Sequence, residues 1–352
     1  MSTSTQPLLL AGDVGATKTT LALYTAAAKD LPGSPPLKKE TFLNRSFACF
    51  DDVLAVFLGA GGQVPPYACI GIAGPVLDDA ADMTNLNWRL DARALEKRHG
   101  FIQARLINDL VATAVGVPRL DSRDLCTINS GKPHSPATLA VLAPGTGLGQ
   151  AFLISHEKGF LPCPSEGGHS TFAPRNGEQL ELLDFMLQRQ AHVSVEQVCS
   201  GLAVPELFAF MSTRQIVPEW LQLEVEEAED ATPVIIEAAR RAVEGKRVCG
   251  VAVHTVQLLC DILADEAANL ALKTLALGGV YLGGGIAPRL QPLLQPERFM
   301  RIFARGSSAA LLASIPVYLI LNQQTALLGA SEYGLRNLVR HQSTDPTIPS
   351  RS

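Results

Sequence analysis

The chain has 352 residues, more than one hydrophobic core usually serves, so two domains are expected. Hydrophobic residues make up 47% of the chain and charged residues 18%, a composition that excludes an extensively disordered protein. The net charge is −5 and no basic block interleaved with aromatic residues occurs, so we expect no binding of nucleic acid.

Cysteine usage and hydropathy bear on the compartment. The seven cysteines are scattered and form no Cys-x-x-Cys pair, so neither a zinc site nor a disulfide framework is predicted. The N-terminal segment lacks the charged and apolar regions of a signal peptide. The most hydrophobic long stretch, residues 248–272, carries one histidine and three acidic residues and is not predicted to span a membrane. We therefore expect a cytoplasmic protein.

The first half of the chain is predicted to alternate strands and helices. Two apolar runs, residues 7–13 and 19–24, flank a turn that contains glycine, which is the pattern of a β-hairpin. A buried strand over residues 67–76 must end at Gly74-Pro75. The other predicted elements are a loop over 29–39, a strand near 40–48, a helix over 51–58, a strand over 105–109 and a helix from there to Pro118.

The second half opens on the same pattern. Residues 139–154 again predict strand, glycine turn and strand, which suggests an internal duplication. Helices are predicted over 178–190, with Asn176 as N-cap, and near 249–273. The apolar face of the first helix is expected to hold Leu180, Leu183, Met186 and Leu187. The last predicted elements are strands over 278–285 and 315–320 and a helix over 323–339. The pattern predicts an α/β protein with two related halves.

Two glycine turns could hold phosphate groups. One reads D-V-G-A-T-K-T from Asp13 and the other reads A-P-G-T-G-L-G from Ala143. Successive backbone N–H groups in such turns can form an anion-binding nest, and Asp13 could hold a water on Mg²⁺. The first motif could equally be a hairpin turn with a structural aspartate and glycine. The candidate phosphate-binding residues are Asp13, Gly15, Thr17, Lys18, Gly145, Thr146 and Gly147.

A third motif, I-N-D, ends at Asp109 where a predicted strand meets a helix. A carboxylate in that position can take a proton from a substrate hydroxyl, and Asn108 can orient a sugar ring. The alternative is that Asp109 simply caps the helix that follows.

Two more glycine-rich motifs could contact a ligand. In P-S-E-G-G-H, Glu166 and His169 flank two glycines, an arrangement suited to gripping vicinal hydroxyls. A metal site or a plain surface turn would give the same pattern. In G-G-V-Y-L-G-G-G, glycines such as Gly283 and Gly284 would let a flat adenine or ribose lie against the backbone. A packed core strand between two turns is the alternative.

Together these motifs resemble the bacterial glucokinase family, the non-zinc branch of the sugar kinase, chaperone and actin superfamily. The resemblance runs from about residue 8 to residue 339. It is carried by GDVGATKT, CIGIAGPV, TNLNW, INDLVATA, APGTGLG, PSEGGHSTFAP, HVSVEQVCSG, GGVYLGGGIAPR and IPVYLI. The first turn departs from the family's usual D-V-G-G-T-N, because Ala16 and Lys18 replace a glycine and an asparagine. Ala16 requires a negative φ or a small strain there.

The resemblance implies two ribonuclease-H-like domains of the actin-like ATPase fold with the active site in the cleft between them. The implied domains are residues 1–119 with 322–342 and residues 120–321, and the tail 343–352 is expected to be disordered. The implied reaction is ATP-dependent phosphorylation of glucose at its 6-hydroxyl in a homodimer, with Asp109 as general base and Mg²⁺ steered through water by Asp13. The implied sugar ligands are Asn108, Asp109, Glu166, His169 and Glu196, of which Glu196 carries no signal of its own in the sequence.

Other functions are compatible with the motifs. The enzyme could phosphorylate another hexose, such as mannose, fructose or an amino sugar, and the donor could be ADP or polyphosphate. A sugar sensor without kinase activity is a different class. A sensor is expected to carry a DNA-binding helix-turn-helix ahead of the first turn or a damaged Asp109, and Asp109 is present.

Overall fold

The computed structural model describes residues 8–25, 35–59, 64–83, 86–157 and 159–339. The tail that was expected to be disordered and most of the loop predicted over 29–39 lie outside these residues. The chain divides into two compact units. The first unit contains the residues up to Leu120 and those from Gln324 onward, and the second contains Asp121–Gln323.

The first unit is built on a five-stranded sheet. Its strands are β1 (Leu8–Val14), β2 (Lys18–Thr25), β3 (Lys38–Leu43), β4 (Tyr67–Ile72) and β7 (Gln103–Asn108), and a separate hairpin consists of β5 (Ala80–Met83) and β6 (Trp88–Asp91). The order in the sheet is β3-β2-β1-β4-β7. The first three strands pair antiparallel, whereas β4 and β7 run parallel to β1. The predicted opening hairpin is thereby confirmed.

The second unit is built on a six-stranded sheet. Its strands are β8 (Leu125–Asn129), β9 (Leu139–Pro144), β10 (Leu148–His156), β11 (Gly159–Ser165), β12 (Gly279–Leu282) and β13 (Val317–Ile320). The order is β11-β10-β9-β12-β13-β8, with β12 and β13 parallel to β9. The first five places repeat the order and directions of the first sheet, as the predicted duplication requires.

Twelve helices cover the sheets in the part of the chain that the structure describes. In chain order they are α1 (Phe50–Leu58), α2 (Ala92–His99), α3 (Asp109–Gly116), α4 (Gly177–Leu187), α5 (Ala203–Ser212), α6 (Glu219–Glu227), α7 (Ala231–Val243), α8 (Gly250–Thr274), α9 (Ala287–Leu290), α10 (Pro296–Phe303), α11 (Ala309–Ser314) and α12 (Thr325–Gly334). The described part of the chain holds no helix long and apolar enough to cross a membrane.

The first unit places an apolar core on each face of its sheet. On one face Leu10 and Ile70 pack with Phe50 and Phe57 of α1. On the other face the strands pack against α3 and α12, with Leu327 among the buried residues. Alternate strand residues serve the two cores, because successive side chains point to opposite faces.

Helices α3 and α12 approach each other very closely. A β-carbon on Gly329 of α12 would overlap the carbonyl oxygen of Ala112, and one on Gly116 of α3 would overlap the carbonyl of Thr325. Only glycine permits such an approach of two helix backbones. The contact fixes α3, whose first residue is Asp109, against a helix from the far end of the chain.

The long helix α8 is buried on most of its surface, and its two aspartates are paired with arginines. Both oxygens of Asp261 accept hydrogen bonds from Arg298, at 2.7 and 2.8 Å. Asp265 accepts from Arg175 and Arg305. Buried carboxylates are tolerated when they are paired in this way. The charges in this hydrophobic stretch therefore belong to a core helix.

One predicted helix face is wrong. Helix α4 begins after Asn176, which accepts a hydrogen bond from the Gln179 amide at 2.9 Å, so the predicted N-cap is confirmed. Its buried residues are Gln179, Leu182 and Met186, whereas Leu180 is 57% exposed. The predicted face was displaced because the polar Gln179 is buried, where its amide donates to Asp265. Of the four residues expected on that face, Leu187 is also exposed.

Candidate active site

The turn between β1 and β2, residues 15–18, is closed by a hydrogen bond from the Gly15 amide to the Lys18 carbonyl, 3.0 Å long. Ala16 has no positive φ, so the backbone accepts alanine without strain. Thr17 and Lys18 are exposed, and no ion pair engages Lys18 among the described residues. No backbone carbonyl accepts from the amides of Ala16 or Thr17 in the described chain. These amides are available to an anion.

Asn44, a residue that the motifs do not include, holds this turn. Its side-chain amide donates to the Gly15 carbonyl at 2.8 Å, and its backbone amide donates to the Thr17 carbonyl at 2.9 Å. The hydroxyl of Thr19 donates to its Oδ1 at 2.8 Å. Asn44 lies directly after β3, which ends at Leu43 and not near residue 48 as predicted, because a 3₁₀ turn begins there.

Asp13 lies one residue before the end of β1. Burial raises the pKa of its carboxyl group to about 6. No cation forms an ion pair with it among the described residues, so nothing offsets the loss of water. A cation that binds together with a ligand would stabilise the charged form of this carboxylate.

Asn108 and Asp109 stand where β7 meets α3. The Oδ1 of Asn108 accepts hydrogen bonds from the amides of Leu110 and Val111, at 2.9 and 3.2 Å, and its Nδ2 donates to the Gly74 carbonyl at 3.0 Å. Asn108 is therefore the N-cap of α3, and Asp109 is the first helical residue. The alternative that Asp109 provides the N-cap is wrong. The helix N-terminus favours a negative charge at Asp109.

The first turn and the Asn108–Asp109 pair lie at the same edge of the first sheet. Val14, Ile72 and Asn108 are in register on three parallel strands. Neighbouring strands are ~4.8 Å apart, so the ends of β1 and β7 are separated by roughly 10 Å. Asp13 and Asp109 thus lie at the carboxyl ends of parallel strands, where ligands of open α/β sheets bind.

The turn between β9 and β10, residues 145–147, is held from the segment 196–202. The amides of Gly201 and Leu202 donate to the carbonyls of Gly145 and Thr146, at 2.7 and 3.2 Å. The Oε2 of Glu196 accepts from the amide of Leu148 at 2.7 Å. In the described chain the amides of Thr146 and Gly147 have no backbone acceptor. This turn, too, leaves two adjacent amides available.

Glu166, His169 and Glu196 come together in the second unit. The Nε2 of His169 lies 3.8 Å from Glu166, and its Nδ1 lies 3.8 Å from the Oε1 of Glu196. Both separations exceed a hydrogen bond, so the ring lies between two carboxylates without binding either. The described residues contain no group of three or more metal-ligating side chains suited to an ion. The cluster thus presents hydrogen-bonding groups that do not bind one another.

Glycines shape the loop that carries Glu166 and His169. A β-carbon on Gly168 would overlap the Leu148 carbonyl, and one on Gly167 would overlap the side chain of Gln150. The loop therefore lies directly on β10, next to the second turn. Glu196 reaches the same place from a 3₁₀ turn, Glu196–Val198, that starts 27 residues beyond His169.

In the motif G-G-V-Y-L-G-G-G, the last three glycines follow β12. The amide of Gly283 donates to the Leu142 carbonyl of β9 at 2.9 Å. Gly284 has a φ of 84°, and a β-carbon there would overlap the Pro144 carbonyl. Gly284 is exposed and Gly283 is buried. The exposed glycine backbone thus lies beside the second turn, at the carboxyl ends of β9 and β12.

Apart from β8, the two sheets share one strand order and contain corresponding hairpins, β1–β2 and β9–β10, as in the actin-like ATPase fold. Comparison with known proteins gives the family. A family model described as Glucokinase matches residues 10–337.

Known glucokinases are similar to this chain over nearly its whole length. The curated glucokinase of Nostoc punctiforme is 37% identical over 338 residues, which cover 92% of this chain and 98% of that protein. The crystal structure of a glucokinase from an Antarctic psychrotroph is 29% identical, with a TM-score of 0.80 over 94% of this chain and 99% of that one. A ROK family glucokinase from Streptomyces griseus, solved with glucose and AMPPNP, is 22% identical, with a TM-score of 0.63 over 94% of this chain and 100% of that one. The chain belongs to the glucokinase family.

Proposed function

We propose that this protein transfers the γ-phosphoryl group of ATP to the 6-hydroxyl of glucose, with Asp109 as the general base. The observation that carries the proposal is the placement of Asp109. It is the first residue of α3, follows β7 directly, and lies at the same sheet edge as the first turn. A base at that edge can take a proton from a hydroxyl while the turn amides bind the phosphates.

The two turns supply the proposed phosphate contacts. The amides of Ala16 and Thr17 in the first unit and of Thr146 and Gly147 in the second have no backbone acceptor in the described chain. Adjacent free amides form anion-binding nests. The exposed side chain of Lys18 adds a positive charge beside the first turn. The loop at Gly283 and Gly284 is proposed to contact the nucleoside.

Asp13 fits a Mg²⁺ ion that is held through water. It is a lone, half-buried carboxylate with no cationic partner among the described residues, and Mg²⁺ usually binds through one or two carboxylates, waters and substrate phosphates. Bound there with ATP, the ion would neutralise charge on the phosphates. A dedicated protein cage is not needed for such an ion.

The proposed sugar contacts are Asn108 in the first unit and Glu166, His169 and Glu196 in the second. Asn108 uses its Oδ1 to cap α3 and one N–H to hold the Gly74 carbonyl, which leaves its second N–H for a hydroxyl. Glu166, His169 and Glu196 offer carboxylate acceptors and a ring nitrogen that are not hydrogen-bonded to one another and can bind hydroxyl groups. Such a site rejects epimers that leave a hydrogen-bonding group unfilled, at a cost of ~1–3 kcal/mol for each.

In the reaction Asp109 accepts the proton of the 6-hydroxyl as that oxygen attacks the γ-phosphorus and the bond to ADP breaks. Most of the rate enhancement comes from positioning and charge stabilisation. The resemblance to bacterial glucokinases further supports a homodimer that acts in glycolysis in the cytoplasm, and sedimentation of the purified protein would test the assembly.

The test is a coupled assay with Mg-ATP and a panel of hexoses. We expect glucose to be preferred, and Asp109→Asn to lower kcat by roughly 10³-fold with little change in glucose affinity. Asp82→Asn is the matched control, because Asp82 pairs with Arg89 on the exposed face of the hairpin of β5 and β6. Turnover of Asp109→Asn within a few-fold of wild type would rule out Asp109 as the base. Glucose binding without turnover by any donor would favour the sensor.

A further inference from the structure

We infer that Asn44 is a positioning residue for phosphate binding: it holds the carbonyls of the first turn so that the adjacent amides remain available to the nucleotide. The inference rests on the proposed role of this turn in binding phosphate. Asn44 does not itself need to touch the substrate. It is 1% exposed and lies behind the turn.

Three hydrogen bonds connect Asn44 to the turn and its flank. They reach the carbonyl of Gly15 from Nδ2, the carbonyl of Thr17 from the backbone amide, and the hydroxyl of Thr19 at Oδ1. All three are 2.8 to 2.9 Å long. One residue therefore fixes the turn at three points within five positions of the chain.

The orientation of the Asn44 amide is set by its partners. Thr19 is fully buried, and its hydroxyl donates to Oδ1. With the oxygen engaged there, Nδ2 points to Gly15, whose carbonyl can only accept. An aspartate at this position would keep the acceptor for Thr19 but lose the donor to Gly15. A hydrophobic residue would lose both.

The carbonyl and the amide of a peptide group act on an anion in opposite ways. Carbonyls turned toward a phosphate repel it, whereas amides attract it. Asn44 binds the carbonyls of Gly15 and Thr17, and the amides of Ala16 and Thr17 have no backbone acceptor in the described chain. Without Asn44 the peptide groups of the turn would be free to rotate, and binding phosphate would have to reorder them.

The test compares two identical substitutions. Asn44→Asp removes the donor to Gly15. Asn129→Asp is the control. Asn129 lies on the outer strand β8 of the second unit, and its Nδ2 also donates to backbone carbonyls, those of Ala313 and Ile315. For Asn44→Asp we expect the KM for Mg-ATP and the calorimetric Kd for Mg-ADP to rise tenfold or more. The Kd for glucose without nucleotide should change less than twofold.

The control separates positioning from stability. Asn129→Asp is expected to lower the melting temperature while leaving the Mg-ATP KM unchanged. If Asn44→Asp behaves in the same way, the inference is overturned and Asn44 is only a structural residue. If Asn44→Asp does not fold, Thr19→Val replaces it, since that change frees the amide of Asn44 to turn over. A rise of about threefold in the Mg-ATP KM is then expected, and an unchanged KM overturns the inference.

The outcomes also separate this inference from the proposed function. A wild-type protein that phosphorylates no hexose would contradict the kinase activity itself. An active wild type with unaltered nucleotide constants in both the Asn44 and Thr19 variants would contradict only the role of Asn44.

Discussion

The two turns proposed to bind phosphate occupy matching places in their sheets but are supported in different ways. In the first unit one side chain, Asn44, reaches in from the end of β3. In the second unit the backbone amides of Gly201 and Leu202 hold the turn carbonyls. Both supports bind carbonyls and leave two adjacent amides free. The two units thus share a turn with two unpaired amides, but different groups hold that turn in place.

The supports also differ in what else they contact. Asn44 is buried, and the hydrogen-bond partners of its side chain belong to the first turn and its flank. Glu196 instead binds the Leu148 amide through one oxygen and faces His169 with the other. The first turn can therefore be altered without touching a proposed sugar ligand, whereas the second cannot.

The largest effect is expected at the contact between α12 and α3, the helix that carries Asp109. No such contact between helices holds the second turn in the described chain. Gly329→Ala places a methyl group on the carbonyl of Ala112, so α12 must move away from α3. We expect a loss of ~3 kcal/mol or more in the free energy of unfolding, measured in urea.

The control is Gly177→Ala at the start of α4, where nothing lies within 4 Å of the added carbon. Its effect should stay below ~1 kcal/mol. Similar losses in both variants would show that the glycine crossing is not what holds α3.

A second difference is that Asp13 stands beside the first turn, whereas Ala143 takes the corresponding place in the second unit. Burial raises the pKa of Asp13 from 3.8 to about 6, so the folded state binds the proton more tightly than the unfolded state. The stabilising contribution is complete below pH 4 and is lost as the pH rises to about 6, by up to ~3 kcal/mol.

Urea unfolding across this pH range, in the presence of a chelator, measures the effect. Asp13→Asn should flatten the dependence, and the surface variant Asp82→Asn should retain it. An unchanged slope in Asp13→Asn would show that another group controls this range.

The smallest and most selective effect compares one glycine in each turn. A β-carbon on Gly147 would overlap the Oε2 of Glu196, whereas one on Gly15 would lie 3.4 Å from the Lys18 carbonyl, an ordinary contact. Neither glycine has a positive φ. Gly147→Ala should break the bond from Glu196 to Leu148, at ~1.5–3 kcal/mol, and lower kcat/KM for glucose by about 10- to 100-fold. Gly15→Ala should stay within about threefold. Equal losses would mean that the two turns are supported alike.

Local sequence patterns predicted the hairpins of the two glycine turns and helices α1, α3, α4, α8 and α12, because alternation, helical spacing and glycine act over a few residues. They did not predict helices α2, α5, α6, α7 and α10. They did not indicate Asn44, whose partners lie 25 to 29 positions earlier in the chain. Glu196 looked like an exposed residue at a helix start, and only the fold brings it to Leu148. The face of α4 was displaced for the same reason, since Gln179 is buried through a partner on α8. Hydrogen bonds between residues that are far apart in the sequence produce no local periodic pattern of apolar and polar residues.

The packing of α12 on α3 affects the order in which the chain can fold during synthesis. One core of the first unit includes Leu327 and Ala330 of α12, and the whole second unit, Asp121–Gln323, is made before them. At 5–20 residues per second the ribosome needs roughly 10 to 40 s for that stretch. The nascent first unit must wait for that time with the α12 side of one sheet face uncovered, so chaperones that shield apolar surface should engage it earlier and longer than the second unit.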